Sequence, residues 1–271
     1  MTVIRPPRNW QLINVRELWQ FRELVYFLAW RDVKVRYKQT ALGAAWAVLQ
    51  PLMMMVVFTI FFGRTAKVPT GGLPYPLFAY AGLLPWTFFA TAITNAGNSV
   101  VGSERLITKI YFPRLTIPFA AVGAAVVDFV IAFGLLIVLM LYYGIVPGVG
   151  LFLVPAILGL ITLAALGIGT LLSALNVAYR DFRYVIPFLV QLGMFATPTV
   201  YMQPDGASAG RLQVLLVLNP MTPLIGVFRA ATLGGPILWD PLGLSATVVV
   251  AVFVLGCLYF RKVEDSFADI I

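Results

Sequence analysis

The sequence contains no histidine and a single cysteine, Cys257. Histidine is the commonest metal ligand and the side chain that titrates most readily near neutral pH, so its absence argues against a zinc enzyme or a histidine-based catalyst. One cysteine allows neither a disulfide framework nor a CxxC metal or redox motif. We therefore expect no catalytic residue and no metal site in this chain.

Charged residues are also scarce: they make up 11% of the 271 residues, whereas hydrophobic residues make up 61%. Soluble domains contain about 25% charged residues. Several uncharged runs approach or exceed about 18 residues, which is enough for a helix to cross a hydrocarbon core of about 30 Å. The composition predicts an integral membrane protein in which residues 1–271 form a single transmembrane domain.

The hydrophobic pattern predicts an all-α fold with six transmembrane helices. In front of them, apolar residues recur with helical spacing on one face of residues 16–30, which indicates an amphipathic helix at the membrane interface. Residues 203–241 are too interrupted by Pro and Gly to span, which favours re-entrant helices between spans five and six. The predicted spans cover about residues 41–62, 75–101, 115–143, 151–178, 185–202 and 242–260.

Lys and Arg number 19 against 11 Asp and Glu, which gives a net charge of +8. Most of these cations flank apolar spans instead of forming one basic surface, so membrane topology explains them better than nucleic-acid binding does. With six spans, 15 of the 19 cations fall on the side that both termini share, and 4 fall on the other side. The positive-inside rule therefore predicts that both termini are cytoplasmic.

A cationic block leads directly into the first predicted span, with the sequence RDVKVRYKQTALGAAWAVLQPL at 31–52. This block resembles the permease subunit of the ABC-2 type transporters that export lipid-linked polysaccharides such as O antigen or teichoic acid. The resemblance extends to GLLPWTFFA at 82–90, ERLITKIYFPRLTIP at 104–118, NPMTPLIGVFR at 219–229 and FADII at 267–271. It covers nearly the whole chain, and the order of cations, Tyr, Gly, Trp and Gln-Pro makes the first block its most specific part.

The resemblance implies a half-transporter in a bacterial plasma (inner) membrane, which forms a homodimer and binds two copies of a separate ATPase. Its substrate would be a lipid-linked polysaccharide that moves outward among the membrane lipids. ATP and Mg would be bound by the ATPase partner, with no cofactor in this chain. The sequence is consistent with ATP binding by a separate subunit, because it contains no GxxxxGK[ST] phosphate-binding loop.

In such permeases, cytoplasmic helices enter clefts in the ATPase and transmit its closure to the spans. The matching segments here are the helix at 16–30 and the loop at 103–112. A plain interfacial anchor is the alternative for the helix. Polarity and helical face select six candidate ATPase contacts in these segments: Glu17, Gln20, Glu23, Glu104, Arg105 and Lys109.

Aromatic residues make up 14% of the chain, and many lie inside predicted spans. Aromatic faces can stack on the C–H faces of pyranose rings without imposing one hydrogen-bond register, so these residues are candidates for the lining of a sugar conduit. Most membrane aromatics instead face lipid or form interfacial belts, and this alternative stays open for each residue. The candidates are Trp46, Phe58, Phe62, Tyr80, Trp86, Phe88, Phe89, Phe195 and Tyr201.

Two ionisable residues stand apart from the flanking charges. Asp128 is the only acid well inside a predicted span, where an ionised group costs several kcal/mol unless it is solvated or paired. Its isolation suggests a function, but a structural polar contact between helices or a protonated acid explains it equally well. Arg229 is a candidate for an outer gate or for contact with an anionic lipid-phosphate group, and an anchor to lipid headgroups is the alternative.

The leading hypothesis is the permease of an ATP-driven exporter of lipid-linked polysaccharide of the O-antigen type, with teichoic acid or another ABC-2 substrate as the alternative. A polytopic lipid- or glycan-modifying enzyme would need clustered catalytic groups, but Asp181, Asp205 and Asp240 are dispersed. An ion-coupled carrier would need several ionisable groups at the midplane, and the sequence supplies Asp128 alone. Both rival classes are therefore less favoured.

Overall fold

The computed structural model describes residues 15–38, 43, 45–66, 68–201 and 219–267, with the backbone alone at 15–17 and 266. Within these ranges all regular secondary structure is helical, which confirms the predicted all-α class. The helices are α1 (Val15–Gln20), α2 (Arg22–Lys38), α3 (Ala45–Phe58, continued by a π-helix at Thr59–Thr65), α4 (Tyr75–Ser99), α5 (Glu104–Ile107), α6 (Thr116–Tyr142), α7 (Val154–Ala178), α8 (Phe182–Ala196), α9 (Met221–Leu233) and α10 (Trp239–Val263). Short 3-10 turns lie at Val101–Ser103, Val149–Leu153 and Glu264–Ser266.

Among the described residues, five helical stretches are long and apolar enough to cross a membrane. They contain 21 to 30 residues each, which corresponds to a length of about 30 Å or more at a rise of about 1.5 Å per residue. The chain is therefore an integral membrane protein. The five stretches are Ala45–Thr65, Tyr75–Ser99, Thr116–Tyr142, Val149–Ala178 and Trp239–Val263.

The predicted fifth span, 185–202, contains a shorter helix. Helix α8 has 15 residues and ends at Ala196. Thr197 adopts an extended conformation, with φ −112° and ψ 133°, because the ring of Pro198 disfavours helical geometry in the residue before it. The chain then continues to Val200 as buried, irregular backbone.

Helix α4 is the centre of the bundle. Its residues from Leu77 to Trp86 are all buried, whereas the other long helices keep much of their apolar surface exposed. Helices α3, α6, α7, α8 and α9 surround it. A helix with such a long run of buried, mostly apolar residues is expected at the core of a membrane bundle.

Small residues allow α7 and α10 to approach closely. A Cβ added to Gly167 would lie 2.6 Å from the Cα of Phe253, and one added to Gly256 would lie 3.0 Å from the carbonyl carbon of Gly167. Membrane helices commonly use glycine in this way, because van der Waals contact between backbones replaces the missing hydrophobic driving force.

Helix α2 packs along α6 and continues past residue 30, where the sequence predicted its end, to Lys38. Its buried side is formed by Leu28 and Val33. On its outer side Tyr26 and Trp30 are exposed. The N-terminal helices therefore combine one face that packs on the bundle with one exposed aromatic face.

A second core cluster closes one end of the bundle. It is formed by buried residues such as Ile107, Phe260 and Phe267, and Leu18 and Phe21 from the N-terminal helices pack against it. The N-terminal helices, the α4–α6 connection and the residues that follow α10 thus meet at the same end of the molecule. This end is called the terminal end below.

Helix α9 covers part of the predicted re-entrant region at 203–241, of which residues 203–218 lie outside the described residues. It has 13 residues and is mostly buried against α4 and α7. The backbone of Gly234, at φ +80°, ends it in the left-handed conformation that glycine adopts readily.

Candidate functional site

A polar cluster joins the C-terminal end of α2 to the middle of α6. Arg36 forms an ion pair with Asp128, and the Tyr37 hydroxyl donates a hydrogen bond to the other carboxylate oxygen of Asp128. Asp128 is the thirteenth residue of α6, which places it about 18 Å along that helix. The acid that stood alone in the sequence is therefore paired, as the structural-contact interpretation required.

The Arg36, Tyr37 and Asp128 side chains form a partly buried cluster in which the opposite charges of Arg36 and Asp128 cancel. The side chains of Arg36 and Asp128 retain 35% and 20% of their accessible surface. Burial, reinforced by the hydrogen bond to Asp128, raises the pKa of the Tyr37 hydroxyl. Tyr37 therefore stays protonated and neutral at physiological pH and remains a hydrogen-bond donor.

A cavity of about 350 Å³ lies beside this cluster, between α3, α4 and α6. From α4 it receives Thr87, Thr91 and Asn95, which are spaced by four residues and so project from one face of the helix. The amide nitrogen of Asn95 is buried and has no hydrogen-bond partner among the described residues. This cavity, called the midhelix cavity below, is thus lined by a residue with an unused hydrogen-bond donor in a mostly apolar bundle.

Two further cavities continue along α4 towards the terminal end. One, of about 590 Å³, shares Arg36 and Asn95 with the midhelix cavity. Another, of about 630 Å³, is lined by Asn98, Glu104 and Arg183. Polar residues of α4 therefore follow a path from the middle of the bundle to its terminal end.

Arg229 lies inside the fold. Its Nη2 donates a hydrogen bond of 2.7 Å to the carbonyl oxygen of Thr199, and its guanidinium carbon lies 3.8 Å from the centre of the Phe78 ring. The Tyr75 hydroxyl donates to the next carbonyl, that of Val200, at 2.9 Å. These contacts satisfy backbone groups of the irregular segment after α8. The gate and lipid-phosphate roles of Arg229 stay predictions.

Gly82 makes this arrangement sterically feasible. A Cβ at this position would overlap the carbonyl oxygen of Thr199 and the Nη2 atom of Arg229. At the other side of the same segment, the Asn219 side chain donates to Thr197 Oγ1 at 2.8 Å and accepts from the backbone N–H of Met221. The segment is thus held by Tyr75 on α4, by Arg229 within α9 and by Asn219 just before α9.

The candidate ATPase contacts lie at the terminal end. Of the three N-terminal candidates, Gln20 and Glu23 are exposed, and the side chain of Glu17 lies outside the described residues. The other three, Glu104, Arg105 and Lys109, are exposed on or beside α5. The two segments are brought to the same end of the bundle, as a shared partner would require, and their role as contacts stays a prediction.

The candidate conduit aromatics separate into two groups. Tyr80, Trp86, Phe88 and Phe89 are buried on α4, where the Tyr80 hydroxyl donates to the carbonyl of Ala132 at 2.9 Å. The remaining candidates are exposed or partly exposed on α3, on α8 or next to them: Trp46, Phe58, Phe62, Phe195 and Tyr201. In the described chain, the second group is available to a ligand without rearrangement of the helices.

Sequence reasoning missed the pairing of Arg36 with Asp128. The signals were present, because one isolated acid lies in a span and four cations lie within residues 31–38, directly before the first span. Cations directly before a span usually mark its solvated boundary. One of these four cations instead turns inward, because an unpaired carboxylate at the middle of α6 would be costly.

Several known proteins are similar in sequence to this chain over most of its length. The chain is 30% identical over 257 residues to the O-antigen export system permease protein RfbA of Myxococcus xanthus, which covers 94% of this chain and 98% of that protein. It is 26% identical to the protein of the same name from Klebsiella pneumoniae, over 92% of this chain and 95% of that protein. It is 21% identical to the polysialic acid transport protein KpsM of Escherichia coli, over 87% of this chain and 92% of that protein.

The match to a protein family spans most of the chain and includes the elements described above. Residues 23–233 match the ABC-2 type transporter family. This range contains α3 to α9, the Arg36–Asp128 pair and the Arg229 site. The chain therefore belongs to the ABC-2 type transporter family.

Proposed function

We propose that this chain is the permease of an ATP-driven exporter that moves a lipid-linked polysaccharide of the O-antigen type across the bacterial plasma membrane. The observation that carries the proposal is the similarity to O-antigen export permeases over nearly the full length of both proteins. The chain contains no phosphate-binding loop, so ATP and Mg are assigned to a separate ATPase partner.

The proposed architecture has six spans. The span that supplements the five long helices, the fifth in chain order, consists of α8 together with the irregular segment that follows it. The 15 residues of α8 contribute about 22 Å, and the five residues 197–201 add up to about 16 Å when extended. Irregular backbone is tolerated at membrane depth when protein satisfies its polar groups, and the contacts of Thr199 and Val200 support this condition.

In this proposal, residues 1–271 form one membrane domain whose terminal end faces the cytoplasm. Residues 16–30 lie at that interface, with Tyr26 and Trp30 towards lipid headgroups, and the rest of α2 continues along α6 into the bundle. The region 203–241, which includes α9, forms the re-entrant part at the opposite side. Two copies of the chain form a homodimer and bind two copies of the ATPase.

Coupling to the ATPase is assigned to the terminal end. The N-terminal helices and α5 contact one hydrophobic cluster there, so a displacement of either segment is transmitted to the other. Exposed charges such as Glu23 and Arg105 are free to contact a partner on that surface. Closure of the ATPase would then move α2, which is connected to the middle of α6 through Arg36.

The proposed conduit begins with the aromatic residues that have an accessible face. Trp46 and Phe195 retain 54% and 61% of their accessible surface. The buried group on α4 supports the conduit wall from behind and becomes part of its lining only if the helices separate. This arrangement provides both a stacking surface and a mechanism for changing its width.

Deletion of the gene for this chain tests the proposal. Loss of the chain should abolish the surface polysaccharide and cause its lipid-linked form to accumulate on the cytoplasmic side, and an intact copy should restore export. An empty vector is the matched control. Unchanged surface polysaccharide in the deletion strain would reject the proposal.

A further inference from the structure

The described residues that line the midhelix cavity carry no net charge, although two of them are ionic. Among its described lining residues, Arg36 and Asp128 carry opposite charges and form an ion pair with each other. A site for an anion such as phosphate would be expected to show an excess of cations, and a site for a metal cation would show several carboxylates. The cavity therefore favours a neutral ligand.

The same cavity has more hydrogen-bonding capacity than a site for a lipid chain would need. The amide nitrogen of Asn95 is buried without a partner among the described residues. Thr91 and Gln50, whose side chains carry a hydroxyl and an amide, also line the cavity. A buried donor without a partner costs stability, so its presence is explained if a ligand supplies the missing acceptor.

Aromatic rings complete the lining. Trp46 lines the cavity and is 54% exposed, whereas Phe88 and Phe129 form a buried pair with ring centres 5.5 Å apart. Because Trp46 and Gln50 are both exposed, the cavity reaches the surface of the chain. Its volume of about 350 Å³ lies at the lower end of the range for small-ligand sites.

Hydroxyl-rich, uncharged rings with apolar C–H faces are the ligand class that matches balanced charge, unused amide groups and an accessible indole. We infer that the midhelix cavity binds a neutral sugar unit of the exported polysaccharide, with Asn95 and Thr91 as hydrogen-bonding groups and Trp46 as the stacking surface. This inference rests on the proposed function. It places a specific saccharide site within each protomer, between α3, α4 and α6.

Photo-crosslinking in exporting cells tests the inference directly. A p-benzoylphenylalanine at Gln50, on the cavity wall, should capture the cell's own polysaccharide, which is detected on the purified chain by periodate oxidation of its sugar. The same group at Met53, which is exposed on α3 outside the cavity, is the matched control. An adduct at least about tenfold stronger at residue 50 supports the inference, and an absent or equal signal in normally exporting cells overturns it.

Substitution of the unpartnered amide gives an independent readout. Asn95→Leu removes a buried donor that has no partner among the described residues, so the melting temperature should stay unchanged or rise. Export at limiting polysaccharide supply should fall about tenfold, because one hydrogen bond to the ligand is lost. Thr162→Val on α7, away from the cavity, is the control for a polar-to-apolar change. Unchanged export with a raised melting temperature overturns the inference.

Failure of the inference and failure of the proposed function have different signatures. If the unmodified chain does not support export at all, the proposed function fails and the saccharide site fails with it. If export is normal but neither the crosslink nor the Asn95→Leu defect appears, the site alone is rejected.

Discussion

Arg36 at the end of α2 pairs with Asp128 at the middle of α6, although 92 residues separate them in the chain. This pair connects a helix that begins at the terminal end of the bundle to a point about 18 Å inside it. A movement of α2 must therefore either carry α6 with it or break the pair. In an exporter driven from the terminal end, this connection gives the driving partner access to the middle of the spans.

The ion pair predicts a measurable loss of stability when either partner is neutralised. Asp128→Asn should lower the free energy of unfolding by about 1–3 kcal/mol, because Arg36 loses its charged partner in a half-buried setting. Thermal unfolding of the purified chain in detergent measures this change. Arg31→Gln is the control, because Arg31 forms an exposed ion pair with the adjacent Asp32 at 2.9 Å and should contribute less than about 1 kcal/mol. Equal effects of the two substitutions would contradict the proposed importance of the half-buried Arg36–Asp128 pair.

The packing of Thr199 and Arg229 against α4 should require a residue without a side chain at position 82. Gly82→Ala should destabilise the protein by about 1–3 kcal/mol, because the added methyl group meets the backbone of Thr199 as well as the Arg229 side chain. The measurement is the melting temperature together with the amount of folded protein in the membrane. Gly134→Ala on α6 is the matched control, because a Cβ there meets nothing within 4 Å, and it should be neutral or slightly stabilising. A stable Gly82→Ala protein would show that the segment after α8 is held differently.

Replacement of Trp46 and of Trp86 by alanine should affect different properties, export in the first case and stability in the second. Trp46→Ala should leave stability nearly unchanged and reduce export of long polymers, since this exposed indole is proposed to contact the glycan. Trp86→Ala should lower stability by about 3–5 kcal/mol, since its ring is buried and its edge packs 2.9 Å from the Cβ position of Gly193. Chain-length analysis of surface polysaccharide and thermal unfolding separate the two outcomes. Normal polymer length with Trp46→Ala would leave that residue a lipid-facing aromatic.

Charge reversal at the terminal end predicts uncoupling. Glu23→Arg combined with Glu104→Arg should preserve the amount of protein in the membrane but separate ATP hydrolysis from export, because both exposed carboxylates are proposed to face the ATPase. ATP hydrolysis and export are measured on the same reconstituted complex. Asp240→Arg, a reversal at an exposed position at the start of α10, is the control. Normal coupling in the double variant would remove these residues from the interface.

The helical class and the positions of the long apolar stretches could be predicted from the sequence, because a span of about 20 apolar residues is a local property. The end of α2 could not be predicted, because cations that precede a span usually mark its solvated boundary. Only the folded chain shows that Arg36 finds Asp128, since a pairing across 92 residues leaves no local pattern.

The region of α8 shows a second limit. Residues 185–202 form one apolar run, yet the helix ends at Ala196 before Pro198. The sequence contained the proline, but the contacts that stabilise the irregular segment come from Tyr75, Asn219 and Arg229 on other elements. The burial of Trp86 and Phe88 likewise depends on neighbours of α4 that a helical pattern does not identify.

ATP hydrolysis by the reconstituted complex tests the central proposal most directly. The chain and the separately encoded ATPase are copurified, placed in proteoliposomes and supplied with lipid-linked polysaccharide from the producing cells. The proposal predicts a stable complex whose ATP hydrolysis rises when the polysaccharide is added and which carries the polysaccharide across the bilayer only with ATP. Transport without ATP, or the absence of any ATPase complex, would contradict it.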